Sequence, residues 1–140
     1  MTEYKIGRIE GELPHKFVVA GDSNALVFAA DSQFKPTVIS SFGEVRRPER
    51  SHEEIGERSD LSRILGGGEV YISKNIEGCL VLSGNSGQFG NVPSEVMEGF
   101  KGLLEAYQRL CPSVTKIRYN TDGSNLSYEL ERWVRKLYGR

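Results

Sequence analysis

ILGGGEVYISKNIEGCLVLSGNSGQFG, residues 64–90, carries more of the fold than any other stretch of the chain. Three glycines, Gly66 to Gly68, precede an alternating apolar run. Val70 to Ser73 and Cys79 to Leu82 flank Lys74-Asn75-Ile76-Glu77-Gly78, a turn-forming segment, so the pair reads as a β-hairpin. A second small-residue cluster, Ser83 to Gly90, follows the hairpin. Backbone freedom on both sides of a strand pair has two explanations. The glycines make turns and helix ends, with Gly66 as a helix stop and a sharp entry to the strand. Alternatively, main chain has to approach a ligand closely there.

Outward from this stretch, Phe17 to Ala20 and Ala25 to Ala29 are short apolar runs joined by Gly21-Asp22-Ser23-Asn24, which predicts another hairpin. Tyr4 to Ile9 alternates weakly and suits an edge strand. Thr37 to Phe42 and Val114 to Tyr119 are further β-rich segments. Three helices are expected. The first opens at Ser51-His52-Glu53-Glu54, where Ser51 at the N-cap and Glu54 at N3 form a capping box. It runs toward Gly66, with Gly56 inside it at a cost of about 1 kcal/mol relative to alanine. In the second, Ser94 to Leu110, apolar residues recur every three or four positions before Pro112. The third, Leu126 to Tyr138, gathers Leu126, Leu130, Trp133, Val134 and Leu137 on one face. Strands with interspersed helices predict an α+β fold: a mixed, largely antiparallel central sheet flanked by helices, with an extra C-terminal helix.

The 140 residues suit a single domain with its own core. A net charge of −1 gives no global attraction to nucleic acid or to an acidic membrane. Apolar runs are too short to span a bilayer, and MTEYKIGRIEG has no secretory h-region. The two cysteines, Cys79 and Cys111, lack metal-like spacing. Both are expected to be free thiols in a reducing, cytoplasmic setting, with Cys79 buried in a strand.

His52 is one of only two histidines, with His15. At the start of a helix, the positive end of the dipole disfavours imidazolium. A neutral ring can accept a proton, and the free N–H groups of the helix end can hold an anion, so His52 suits a general base. The alternative is an exposed histidine in a first turn. Ser83 to Gly90 lies between a strand and a helix, where exposed N–H groups can form an anion nest, although the Gly-Lys-Ser/Thr ending of a P-loop is missing. Arg46, Arg47 and Arg50 alternate with Glu44 and Glu49 as in a solvated loop. The cations Arg132, Arg135, Lys136 and Arg140 follow the preference for basic residues at helix C-termini.

In order along the chain stand a helix-opening histidine in PERSHEEIGERSDL, an LGGG entering a strand at Leu65 to Gly68, and Ser86-Gly87-Gln88-Phe89-Gly90, of the form S-x-x-[FY]-G. RLCPSVTKIRYNTDG then supplies a helix end and a strand closing on DG. This set resembles the Janus/Ocnus family of protein histidine phosphatases over about residues 16–123, leaving residues 125–139 as a helical extension. The resemblance implies an α+β fold and removal of phosphate from phosphohistidine without a metal or other cofactor. His52 would be the general base, and Ser86, Gly87 and Gln88 the phosphate cradle. Lys16 would be the assisting lysine, unless a different strand alignment puts Asn24 or Ala25 there. The implied partner is a phosphorylated protein or a small phosphoramidate, with no nucleic acid and no membrane.

The sequence departs from the family after LGGG, where active members have arginine and this chain has Glu69. A carboxylate near phosphate is unfavourable. Either Glu69 points away, or Arg46, Arg47 or Arg63 substitutes, or the ligand differs. A phosphate-binding module without turnover is the second expectation. The third is an interaction protein, with the apolar face of the last helix packed on the sheet or on a second subunit as a homodimer.

Overall fold

Both expected hairpins are present in the computed structural model, which describes residues 2–22, 24–32, 37–40, 43–46, 51–61, 63–84, 89–120 and 126–138. The elements in chain order are β1 (Glu3–Glu10), β2 (His15–Asp22), β3 (Ala25–Asp31), β4 (Thr37–Ser40), β5 (Gly43–Arg46), α1 (Ser51–Arg58), β6 (Ile64–Ile72), β7 (Cys79–Ser83), α2 (Ser94–Glu98), α3 (Leu103–Leu110), β8 (Lys116–Asn120) and α4 (Tyr128–Tyr138). Six strands form one sheet in the order β1-β3-β2-β6-β7-β8, and β4 pairs with β5 in a separate two-stranded sheet. The β2–β3, β2–β6 and β6–β7 pairs are antiparallel, and the two outer pairs, β1–β3 and β7–β8, are parallel. The fold is therefore α+β with a mixed sheet and a C-terminal helix.

Period-2 alternation sorts the side chains onto two unequal faces. Phe17, Val19, Phe28, Leu80 and Leu82 join residues of α2, α3 and α4 in the larger core. Phe17 stacks on Phe28 with ring centroids 5.1 Å apart. On the opposite face, Val18 and Ala29 form a small cluster with Ile55 of α1, with Leu61 and Ile64 at the margin. Among the described residues no helix is long and apolar enough to cross a membrane. Cys79 is buried, Cys111 is half-buried, and both thiols are free.

Three expectations need correction. The first helix stops at Arg58, well short of Gly66. Asp60 turns the chain in a left-handed conformation, with φ of 57°, and the Leu61 N–H donates to Gly56 O at 2.7 Å. Asp tolerates that region better than most residues because its short side chain bonds locally. Gly66 to Gly68 consequently lie inside β6, hydrogen-bonded between β2 and its neighbours, and are not a helix stop.

The second helix is two helices. Gly102 sits at φ 83°, a left-handed position that interrupts the helical turn before Leu103. The preceding Gly99 lies against the Tyr4 ring, where an added Cβ would be 2.3 Å from Cε1. The charged stretch after Gly43, expected as loop, begins with β5.

The apolar face of α4 packs on the sheet within the same chain. Leu130 is fully buried, and Trp133, Val134 and Leu137 pack against the larger core. Burying Leu130 contributes about 2 kcal/mol by apolar area. Ser127 joins helix to strand twice: its Oγ donates to Leu65 O of β6 and accepts from the Leu130 N–H at 3.2 Å.

Candidate active site

β6 assembles the candidate site because its neighbours approach it from three directions. Gly67 faces α1, where an added Cβ would stand 2.6 Å from Phe17 O and 2.9 Å from His52 Cδ2. Any side chain at position 67 would displace the imidazole. A mid-strand glycine marks this kind of close approach. Gly66 faces the other way, toward Leu130 and Val92.

His52, the second residue of α1, is 7% exposed. Its Nε2 lies 3.1 Å from Gly68 O. A carbonyl oxygen only accepts, so Nε2 carries the proton and Nδ1 of the neutral ring holds the lone pair. Nδ1 has no hydrogen-bond partner among the described residues. Burial holds the His52 pKa below the usual histidine range, opposed by the Gly68 hydrogen bond. The Lys16 charge lowers it further and the Glu69 charge raises it. The ring is therefore neutral at pH 7, oriented by one nitrogen and basic at the other.

Lys16 and Glu69 are directly opposed across the antiparallel β2–β6 pair. Opposed residues share a face, and this is the face of Val18 and α1. Lys16 is half-buried and Glu69 exposed. The Glu69 position therefore lies on the face of β6 that His52 approaches. Arg63, one suggested substitute for the missing arginine, instead pairs with Glu129 of α4 at 3.3 Å.

Ser86, Gly87 and Gln88 lie outside the described residues, as do Arg47 and Arg50. The two ends of their loop are described. The Val92 N–H donates to Gly84 O at 2.9 Å, closing the neck. The Gly67 N–H reaches Gly90 O at 3.4 Å, so the loop's far end meets β6 one residue from the carbonyl that holds His52. Asn91, just beyond, is buried and polar. Histidine, lysine and the end of the serine loop thus converge on one segment, Gly67 to Glu69.

Sequence reasoning missed a groove of about 730 Å³ lined by Tyr71, Val81, Arg118 and Asn120, with Lys74 at its edge. Tyr71 lies two residues beyond Glu69 in β6, hence on the same sheet face. No local signal marks it, because its residues come from three separate strands and a turn. Among the described residues, no group of three or more His, Cys, Asp and Glu side chains is arranged to hold a metal. No family model, curated protein or solved structure matches the chain.

Proposed function

We propose that the chain is a phosphohydrolase acting on phosphoramidates, a divergent counterpart of the Janus/Ocnus phosphohistidine phosphatases. The observation that carries this reading is the state of His52: neutral, buried, fixed by Nε2–H to Gly68 O, with no Nδ1 partner among the described residues, beside the strand that meets Gly90. The ordered motifs around His52, Leu65 to Gly68 and Ser86 to Gly90 support it independently.

In this mechanism His52 Nδ1 removes a proton from water as the water oxygen attacks phosphorus. Lys16 and the loop amides of Ser86 to Gly90 receive the phosphoryl oxygens, so catalysis is positioning and charge stabilisation. The Tyr71–Arg118 groove gives the flanking chain of a phosphorylated protein a place to lie. Purified protein assayed on phosphohistidine in the presence of a chelator tests the reading. His52→Ala is expected to lose about 10²- to 10⁴-fold in rate; full activity in that variant would reject the assignment.

Glu69 favours a second reading, a module that binds phosphoryl groups without turning them over. Its carboxylate lies on the site's face and opposes an anion. Turnover above the buffer rate dismisses that reading.

A further inference from the structure

Lys16 and Glu69, opposed across β2 and β6, place one cation and one anion on the face of His52. An inorganic dianion gains from Lys16 and loses to Glu69. A phosphoryl group on a positively charged nitrogen meets the opposite sign at both ends. Cross-strand opposition fixes both residues to the face of His52. Glu69 is exposed.

Resting on the phosphoramidate reading above, we infer that Glu69 is a specificity-determining residue selecting substrates whose leaving group is cationic at neutral pH, namely phosphoarginine or phospholysine side chains. The carboxylate faces the guanidinium or ammonium nitrogen while Lys16 faces the phosphoryl oxygens. In the reaction the water oxygen bonds to phosphorus and the P–N bond breaks, its electron pair staying on nitrogen, so the side chain leaves as neutral amine or guanidine. The proton that His52 took from water passes to that nitrogen. Products are the protonated side chain and inorganic phosphate, with no oxidant, reductant or metal in the balance. A leaving group that already carries positive charge departs readily, so the reaction needs only the one proton that His52 relays.

The experiment compares kcat/KM of the full chain for phosphoarginine, phospholysine and phosphohistidine at pH 8, above the ordinary imidazole range. Wild type is expected to favour one or both of the first two, and their separate rates distinguish guanidinium from ammonium. Glu69→Gln should cut that preference roughly fivefold, the size of one exposed charge interaction. Glu69→Arg should reverse the order. A preference for phosphohistidine in wild type, or a ratio unmoved by Glu69→Gln, overturns the inference while leaving the hydrolase reading intact. Absence of His52-dependent turnover of all three substrates overturns both.

Discussion

His15 lies on the sheet face covered by α3, and His52 on the face covered by α1. Both rings are buried, and both donate from Nε2 to a glycine carbonyl, Gly11 for His15 and Gly68 for His52. The difference is at the other nitrogen. His15 Nδ1 is 3.0 Å from the Tyr107 hydroxyl, which donates to it when Nε2 holds the proton. Burial pushes the Tyr107 pKa up, so that hydroxyl keeps its proton. His15 has both nitrogens occupied and behaves as a packed core residue. His52 has one nitrogen committed to Gly68 O, and its Nδ1 has no hydrogen-bond partner among the described residues. Burial and a lowered pKa are common to both and distinguish nothing; the bonding of Nδ1 among the described residues does.

The largest effect expected from breaking this contrast is on rate. His52→Ala should lose the 10²- to 10⁴-fold stated above in rate per folded molecule, measured by phosphate release beside a thermal melt. His15→Ala should do the reverse. It leaves a cavity and strands the Tyr107 hydroxyl and Gly11 O, costing about 2–4 kcal/mol in urea unfolding. Rate per folded molecule should stay within about twofold of wild type, as expected for a residue outside the site.

The same histidine also shapes the pH dependence. Its folded pKa is lowered, first by burial, with the Gly11 hydrogen bond and Asp31 opposing. The unfolded chain therefore protonates first on acidification. Stability is full above about pH 6.5 and is lost as pH falls toward the folded value. Removing His15 should flatten that decline.

A smaller effect sharpens the comparison within one strand. Gly67→Ala meets the Phe17 backbone oxygen and the His52 ring. It should cost about 1–3 kcal/mol and reduce the rate as well. Gly66→Ala meets the ends of Leu130 and Val92 side chains, which can shift. It should cost less stability and leave the rate unchanged, read from paired melts and assays.

How far the sequence exposes this arrangement depends on the range of the forces involved. The hairpins at residues 21–24 and 74–78 are legible because turn chemistry is local. His52 at a helix start is legible for the same reason. The continuous helix expected over residues 94–110 is interrupted at Gly102, whose left-handed φ of 83° ends the helical path, while the packing of Tyr4 of β1 on Gly99 is a contact no local pattern announces. The glycine run, taken as turns, is a strand because Phe17 O and His52 need the space on one side and α4 on the other. Those demands are tertiary and leave no periodic trace. The two histidines look alike in the chain, since Tyr107, which completes the bonding of His15, comes from a distant helix.

With two histidines in the chain, imidazole ¹⁵N–¹H correlation spectra separate them directly. Recorded at pH 7 during titration with inorganic phosphate, they test the central claim. The expected result is two neutral rings protonated at Nε2, with only the His52 Nδ1 signal moving as phosphate binds. A His52 ring protonated at Nδ1, or a His52 signal that ignores phosphate while the protein stays folded, would contradict it.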